Sequence, residues 1–342
     1  MRRRYFIRQY MQQEYLHGGI TCVDIEKVLL AKGFEPVSFP GHDSFSITSK
    51  ASRFLFLFKM IFRIKRGSIV FFISPVYAKM NRLLLRLIRL KGVKLICIIA
   101  DIDGLRDRDD HLLQSELEQY RGYSCFIVHN DQMAGYLRQH LSHPVLCTLE
   151  FFDYLVPSAH GERQKSHTIV FAANLAKSGF LDKLHLVQPA DPGLVFNIYG
   201  PGITETIAAQ ENVRYLGTHK PYDLPAIVEG SFGLIWDGVS IDTCEGGYGE
   251  YLRYNLQHKL SFYIVSKLPV IVWDGAATAE LVNKYRIGFT IKNLYEIEDK
   301  VKAVTQEQYR QMQINMQPLA EKISKGGYMG DAIDEIMKLA EA

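Results

Sequence analysis

The side chains best suited to bind an anion lie within residues 229–291. A short apolar run, 232–236, ends at an Asp-Gly pair, and a glycine-rich loop follows at 244–249. Such a loop lets backbone N–H groups approach a phosphate closely. His258 and Lys259 stand where the next helical pattern begins, and they could neutralise a diphosphate at the positive end of that helix. The order of these features favours a nucleotide-binding site over a merely flexible connection.

Two carboxylates, Asp101 and Asp103, directly follow the strand predicted at 93–100. Ligands of open α/β sheets bind beyond the carboxyl ends of the strands, so this pair is well placed for acid–base chemistry. One of the two could take a proton from an attacking hydroxyl. The alternative is that one Asp caps a helix and the other is solvated. The nucleotide signal lies far downstream, so we predict no metal site here.

Strands and helices alternate along both halves of the chain, which indicates two parallel sheets. Short apolar runs bounded by turn residues are typical of buried parallel strands. Strands are predicted at 5–8, 35–39, 68–73, 93–100, 124–128, 146–152, 168–172, 194–199, 213–216, 232–236 and 270–273. Helices are predicted at 23–30 and 132–141, from 258 to the Leu268-Pro269 pair, from 279 onward and within 298–339.

Length and composition indicate a globular protein with two α/β domains. The 342 residues suffice for two full cores, and contents of 47% hydrophobic and 23% charged residues are ordinary. The five cysteines show no metal-binding or Cys-x-x-Cys spacing, which favours reduced thiols and a cytoplasmic location. We predict no signal peptide, bilayer-spanning run, cofactor or nucleic-acid partner.

Charge is distributed unevenly between the two halves. Residues 1–150 contain 22 Lys and Arg against 14 Asp and Glu, a net charge of +8, whereas residues 151–342 contain 18 against 23, a net charge of −5. Between Lys50 and Lys94 there are 12 basic residues and no acidic one, interleaved with apolar residues. Basic amphipathic segments can bind anionic membrane surfaces, but they can also be core helices with a solvated basic face.

A resemblance to a known family rests mainly on the block 251–273. This block resembles the donor domain of bacterial galactofuranosyltransferases and is similar to the glucosyltransferases that extend the glycans of serine-rich adhesins. Weaker similarity extends to further residues in both halves of the chain. The residues that carry it are Tyr251-Leu252-Arg253-Tyr254-Asn255, His258-Lys259-Leu260-Ser261, Leu268-Pro269-Val270-Ile271-Val272-Trp273, Phe232-Gly233-Leu234-Ile235-Trp236, Ile287-Gly288-Phe289, Asp101-Ile102-Asp103-Gly104-Leu105-Arg106 and Val128-His129-Asn130.

The resemblance implies a GT-B fold, in which two Rossmann-like doubly wound domains face a cleft. We expect an acceptor-side domain over 1–155 and a nucleotide-sugar-binding domain over 156–320. The helix over 321–342 would then pack back on the first domain. Residues 153–166, with several polar residues and a proline, form the candidate linker.

The resemblance also implies roles for individual residues. Lys177 and Asn174 lie in a loop like the family's phosphate-contacting loop, and loop 217–221 would touch the nucleobase. Glu280 would hold the ribose hydroxyls or act only as a helix N-terminal charge. The remaining implied donor contacts are Tyr254, Asn255, His258, Lys259 and Leu260, and the implied cleft loop contains Gly18, Gly19 and Thr21.

These features together predict a metal-independent glycosyltransferase that inverts configuration and uses a UDP-sugar. The donated sugar would be galactofuranose or glucose, with Asp101 or Asp103 as the base. The acceptor would be a cell-surface glycan, linked to polyprenyl diphosphate at the inner membrane face, or instead a glycan on a protein. A nucleotide-sugar epimerase that uses His129 or His219, and a non-catalytic partner of a transferase, are the alternatives. Homo-oligomerisation is left open.

Overall fold

Two parallel sheets of six strands each form the framework of the protein in a computed structural model. The structure describes residues 3–11, 19–39, 47–157, 161–187 and 193–341. Strand order is β2-β1-β3-β4-β5-β6 in the first sheet and β12-β11-β10-β7-β8-β9 in the second. Each order reverses direction once, which is the mark of a doubly wound fold. The predicted α/β class is therefore confirmed.

The inner strands of the first sheet are buried along most of their length, whereas its two edge strands are partly exposed. The six strands are β1 (Arg4–Ile7), β2 (Glu35–Val37), β3 (Ile69–Ser74), β4 (Lys94–Ile99), β5 (Cys125–Val128) and β6 (Val145–Thr148). Residues alternate between the two faces along each strand, so Phe71 and Ile73 join one core cluster, whereas Val70 and Phe72 join the other. Both faces are apolar because helices cover both of them.

Six helices belong to the described residues of this first unit. They are α1 (Ile20–Ala31), α2 (Ile47–Arg63), α3 (Lys79–Leu90), α4 (Asp103–Asp107), α5 (Asp110–Tyr120) and α6 (Asp131–His140). Buried residues of α1 join the cluster on one face of the sheet, and those of α2, α3, α5 and α6 join the cluster on the other face.

The second sheet contains β7 (Thr168–Ala172), β8 (Val195–Tyr199), β9 (Val213–Tyr215), β10 (Phe232–Ile235), β11 (Val270–Trp273) and β12 (Gly288–Ile291). Its helices are α7 (Glu205–Ala208), α8 (Leu224–Ile227), α9 (Tyr248–Tyr251), α10 (His258–Val265), α11 (Thr278–Tyr285), α12 (Ile297–Ala303) and α13 (Gln306–Ser324). The Tyr263 hydroxyl bonds the carbonyls of Val170 and Leu234 at 3.2 and 3.0 Å, which fixes α10 against β7 and β10. A Cβ at Gly233 would lie 2.3 Å from the Tyr263 ring, so this strand position needs glycine.

The last helix, α14 (Gly327–Glu341), returns to the first unit and packs against β5, β6 and α1. The Asp153 carboxylate accepts hydrogen bonds from the N–H groups of Tyr328 and Met329 at 3.2 and 2.8 Å, so it caps the start of this helix. Desolvation raises the pKa of Asp153 to about 7, although these two N–H groups favour its charged form.

The segment 151–156, which joins the two units, is buried rather than exposed. Phe151, Phe152, Asp153, Tyr154 and Val156 are all at most 5% exposed. The sequence places 146–152 in a strand, but β6 ends at Thr148 because the chain then leaves the sheet to cross between the units. The other predicted strands and helices are confirmed to within a few residues. For β12, α2 and α3, the sequence-based prediction did not specify whether the element is a strand or a helix.

His129 bridges the two units from a position that is 2% exposed. Its Nδ1 accepts from the N–H of Leu256 at 3.0 Å, so its Nε2 carries the proton and donates to the carbonyl of Ile99 at 3.0 Å. Desolvation lowers the pKa of His129 to about 4. The ring is therefore neutral at physiological pH.

No helix among the residues that the structure describes is both long enough and apolar enough to cross a bilayer.

The neutral state of His129 predicts a pH-dependent stability. Because its folded pKa lies below that of an unfolded His, its contribution is fully present above about pH 6.5 and is lost as pH falls through about 4. This amounts to about 3 kcal/mol of unfolding free energy over the window. We expect His129→Asn to be less stable at neutral pH but to lose less stability on acidification, measured by urea unfolding across this range.

The matched control is His111→Asn, because His111 is exposed. It should keep the wild-type pH dependence. Comparing variants cancels the opposite contributions of Asp101 and Asp153, whose raised pKa values favour the folded state at lower pH. If His129→Asn and the wild type lost equal stability on acidification, His129 would not be the neutral, buried bridge between the units.

Candidate functional site

A cavity of about 420 Å³ lies between the two units. Its second-unit wall follows the carboxyl ends of β7 and β8, next to the point between β7 and β10 where strand order reverses. Ligands of doubly wound sheets bind in the crevice outside such a reversal. The first unit contributes Gly19, Ile20 and Thr21 at the start of α1, and the joining segment contributes Tyr154.

The loop after β7 forms one wall of the cavity and contains Asn174 and Lys177. It is held against the loop after β8 by a hydrogen bond from the N–H of Leu175 to the carbonyl of Pro201 at 2.8 Å. Gly200 allows this contact, because its φ is 127° and a Cβ there would lie 1.8 Å from the carbonyl oxygen of Ala173. The close approach of the two loops therefore fixes where Lys177 emerges.

Helix α10 begins at the cavity with His258 and Lys259, as the sequence predicts. The Nζ of Lys259 lies 3.3 Å from Oδ2 of Asp237 and 4.5 Å from the centre of the Phe171 ring. Desolvation raises the pKa of Asp237, and Lys259 opposes that shift. A partly buried carboxylate thus holds this lysine at the positive end of a helix.

The structure corrects the prediction that His258 carries a positive charge toward a diphosphate. Its ring stacks on that of Tyr154 with 4.7 Å between centroids, and its Nε2 lies 3.3 Å from the carbonyl oxygen of Asp153. Desolvation lowers the pKa of His258 to about 4, although Asp24 partly opposes this shift. The ring is neutral at physiological pH, so positive charge in the cavity comes from Lys177 and Lys259.

Tyr248 connects the cavity to the carboxylates of the first unit. Its ring centre lies 5.2 Å from Nζ of Lys177 and 5.8 Å from Cζ of Arg106. Tyr248 follows Gly246 and Gly247, which both have positive φ and open the turn into α9. The glycine-rich loop thus places an aromatic ring between a lysine of the second unit and an arginine of the first.

Arg106 binds the two carboxylates predicted to be catalytic. Its Nη1 lies 3.1 Å from Oδ2 of Asp101 and 2.8 Å from Oδ1 of Asp103, and its Nε lies 2.8 Å from Oδ1 of Asp107. The Arg106 side chain is only 20% exposed. It is a shared cation that holds three Asp side chains together.

Asp101 and Asp103 differ in how accessible they are. The Asp103 side chain is 9% exposed and accepts from the Tyr77 hydroxyl at 2.7 Å. That of Asp101 is 37% exposed, and desolvation raises its pKa to about 6 against the lowering effect of Arg106. The Tyr251 hydroxyl, which accepts from the N–H of Ile102 at 2.9 Å, also bonds Asp101. Asp101 therefore has the more accessible carboxylate of the two, and its pKa is raised toward neutral pH.

The structure brings some of the predicted site residues together and separates others. Asn174, Lys177, His258, Lys259, Gly19 and Thr21 line the cavity. Gly18 lies outside the described residues. The prediction that Leu260 contacts the donor is corrected: its side chain is fully buried in the core, so this side chain cannot reach a donor.

Three further predicted residues do not line the cavity. Tyr254 packs against Tyr136 of the first unit with 5.7 Å between ring centres, so its ring contributes to the contact between the units. Asn255 bonds the neighbouring Gln257 through its side chain. Glu280 is exposed in the first turn of α11, and its role in binding ribose stays a prediction.

Several cavity residues were not recognised in the sequence. Tyr154, Tyr199 and Phe262 supply aromatic walls, and Asp237 positions Lys259. The sequence-based prediction assigned Tyr154 to a linker. The apolar residues at 149–156 could have indicated that this segment is buried. His219 and Pro221 line the cavity from the loop expected to touch the nucleobase.

The epimerase alternative loses one of its two candidate acids. Both ring nitrogens of His129 are occupied by protein groups, and the ring is buried, so it cannot exchange a proton with a substrate. His219 does line the cavity, and its Nε2 lies 2.8 Å from the carbonyl oxygen of Leu216. Across the described part of the chain, no group of three His, Cys, Asp or Glu residues is arranged to hold a metal ion.

Two family models match consecutive parts of the chain. The glucosyltransferase 3-like N-terminal domain matches residues 3–147, and the glucosyltransferase 3-like C-terminal domain matches residues 169–336. The two matches coincide with the two sheets and leave the joining segment between them.

Similar proteins agree with this assignment. The β-1,6-galactofuranosyltransferase WbbI of Escherichia coli K12 is 32% identical over 73% of this chain and 73% of its own length. Glucosyltransferase 3 of Streptococcus gordonii is 24% identical over 92% of this chain and 93% of its own. The fold also matches HepE of Anabaena, solved with UDP and glucose, with a TM-score of 0.64 and 11% identity over 99% of this chain and 100% of that one. The chain therefore belongs to the glucosyltransferase 3-like family and is a GT-B glycosyltransferase.

Proposed function

We propose that this glycosyltransferase moves a sugar from a UDP-sugar, bound in the cavity at α10, to a glycan acceptor that approaches from the first unit. The observation that carries the proposal is the placement of Lys177 and Lys259 at a switch-point cavity, with Tyr248 between Lys177 and the Arg106 that binds Asp101. HepE, which shares the fold, binds UDP and glucose.

The diphosphate of the donor would lie against the N-terminus of α10. Its free N–H groups and partial positive charge suit an anion, and Lys259 adds a full charge at the same place. Lys177 approaches from the loop after β7. As the glycosidic bond breaks, these groups would stabilise the charge that develops on the leaving UDP, without a metal ion.

Asp101 would take the proton of the acceptor hydroxyl. The oxygen then attacks the anomeric carbon from the face opposite UDP, so an α-linked donor gives a β-linked product. Arg106 keeps Asp101 oriented, and the pKa of about 6 leaves most Asp101 carboxylates deprotonated at neutral pH. The β linkage in the name of WbbI agrees with inversion.

The donated sugar is proposed to be galactofuranose, because WbbI is a galactofuranosyltransferase and shares 32% identity with this chain. Glucose is the second candidate, since glucosyltransferase 3 aligns over 92% of the chain. Competition between UDP-galactofuranose and UDP-glucose in one transfer assay distinguishes them.

The acceptor is proposed to be a glycan linked to polyprenyl diphosphate, used in cell-surface polysaccharide assembly at the inner face of the cytoplasmic membrane. The support is the run of 12 basic residues without an acidic one between Lys50 and Lys94, which lies in the acceptor-side unit. A glycan carried on a soluble protein would not require this bias. Transfer to lipid-linked and protein-linked acceptors can be compared directly.

Removal of a cavity lysine should weaken UDP binding. Lys177→Ala and Lys259→Ala each remove one charge-assisted contact, worth about 1.5–3 kcal/mol, so we expect the Kd for UDP to rise roughly 10- to 150-fold. Isothermal titration measures this change. Lys292→Ala, an exposed lysine of the same unit outside the cavity, is the matched control and should bind UDP normally. Unchanged affinity in both cavity variants would exclude this donor site.

Replacement of Asp101 should affect turnover rather than donor binding. Asp101→Asn is expected to lower kcat by about 10²- to 10⁴-fold, the usual contribution of a general base, with the Kd for UDP retained. In the wild type, kcat should fall as pH drops through about 6, because the base becomes protonated.

Asp107→Asn is the matched control, because Asp107 contacts the same arginine and has the same 37% exposure. Its effect on kcat should be small, with the acid limb of the pH profile retained. If Asp101→Asn kept full turnover, or if both variants were equally impaired, Asp101 would not be the base.

Activity is expected to survive treatment with EDTA. The charge of the leaving UDP is assigned to Lys177, Lys259 and α10, and the carboxylates of Asp101 and Asp103 are already engaged by Arg106. Transfer is measured after chelation and again after addition of Mn²⁺ or Mg²⁺. An absolute requirement for either ion would contradict this assignment.

A further inference from the structure

Helix α2 carries two apolar faces, and within the described part of the chain only one of them packs against the rest of the protein. Leu57, Met60 and Ile64 lie at its inner side and are at most 3% exposed. Phe54, Leu55, Phe58 and Phe62, here called the outer row, are 51, 71, 57 and 77% exposed. With 3.6 residues per turn these four side chains fall on one stripe of the helix. A contiguous stripe of three phenylalanines and a leucine exposed to water marks an interaction surface.

The adjacent helix α3 exposes a row of cations on the same outer surface. Its inner side buries Leu84, Leu85 and Ile88. Lys79, Arg82, Arg86 and Arg89, here called the basic row, line a groove of about 750 Å³ between α3 and α5. Among the residues that the structure describes, none of the four forms an ion pair with a carboxylate, and Glu118 is the acidic residue in the groove lining.

The two rows belong to one rigid surface. Nζ of Lys91, just after α3, donates to the carbonyls of Ile61 and Ile64 at the end of α2 at 2.5 and 2.9 Å. Both helices bury their inner sides in the same core cluster on one face of the first sheet. The outer row and the basic row therefore lie on neighbouring helices that cover the same face of the first sheet.

We propose that this surface docks the protein on an anionic phospholipid bilayer, with the outer row inserted among the acyl chains and the basic row against lipid phosphates. The apolar side chains match the bilayer interior and the cations match its surface charge, the two contributions on which interfacial binding depends. This inference rests on the proposed function, because a lipid-linked acceptor lies in such a membrane.

Docking would orient the acceptor site. The basic row begins at Lys79, two residues from Tyr77, whose hydroxyl bonds Asp103 beside the proposed base. The row then extends along α3 away from the carboxyl ends of the strands. A diphosphate held in the groove would therefore lie near the cleft, with its glycan directed toward Asp101.

Vesicle sedimentation tests the surface. Wild-type protein should bind vesicles of phosphatidylglycerol and phosphatidylethanolamine but not vesicles of phosphatidylcholine, and high salt should weaken the binding. Lys79→Gln/Arg86→Gln should lower the partition coefficient roughly thirtyfold, because each basic side chain near an anionic surface contributes about fivefold. Phe58→Ser/Phe62→Ser should lower it at least about tenfold.

Matched variants distinguish docking from a general loss of charge or apolar surface. Lys292→Gln/Lys338→Gln removes two exposed charges elsewhere, and Ile314→Ser removes an apolar side chain that is 52% exposed on α13. Both controls should sediment like the wild type. Equal losses in the controls, or no binding of the wild type to anionic vesicles at low salt, would overturn the proposal.

Two further measurements separate the remaining outcomes. If Phe58→Ser/Phe62→Ser converts a dimer to a monomer in light scattering, the outer row binds a second copy and the docking proposal fails. UDP affinity should be unchanged in both surface variants, and transfer to a short soluble acceptor should be unchanged in Phe58→Ser/Phe62→Ser. If the wild-type protein does not bind UDP, the proposed function itself is refuted, whatever the vesicles show.

Discussion

The relative placement of the two units depends on the buried segment 151–156. The N–H of Leu155 donates to Asp24 of α1 at 3.0 Å, and the Ser261 hydroxyl of α10 donates to the carbonyl of Phe152 at 2.5 Å. The Asp153 carboxylate caps α14, which packs on the first sheet. One short stretch is thus bonded to the first unit, to the donor helix and to the returning C-terminal helix. Because these groups are buried, loss of any one would leave a partner unsatisfied.

This constraint explains why the cavity has walls from both units. Tyr154 stacks on His258, and the Tyr222 hydroxyl bonds Asp24 of α1 at 2.5 Å. His129 adds a second bridge between β4 and the residues before α10. The start of α1, which supplies Gly19 and Thr21, is therefore held opposite Lys177 and Lys259. The positions of donor and acceptor groups therefore follow from buried hydrogen bonds and ring contacts, and an exposed ion pair between Arg108 and Glu250 adds a further link between the units.

Charged side chains lie at the proposed diphosphate site and at the proposed base, the two places where the reaction needs them. Lys259 is held by Asp237, and Asp101 is held by Arg106, so each functional charge has a counter-charge in the protein. The two histidines near the cleft are instead kept neutral by burial. Tyr248 lies between Lys177 and Arg106, and Lys177 also attracts the Asp107 carboxylate.

The sequence by itself determined the fold class, most of the strands and the start of α10 at His258. These features follow from local patterns, such as apolar runs that end in turn residues, and they need no knowledge of distant contacts. The sequence also placed Lys177 and Asp101 after strands, and the carboxyl ends of parallel strands meet at one edge of a sheet.

Only the tertiary structure decided which of these residues share a cavity and which charges they carry. Leu260 stands next to Lys259, yet helix geometry turns its side chain into the core. His258 is neutral because Tyr154 and the joining segment desolvate it, and no local pattern shows that contact. Burial and pairing depend on residues far apart in the chain, so spacing alone could not reveal them.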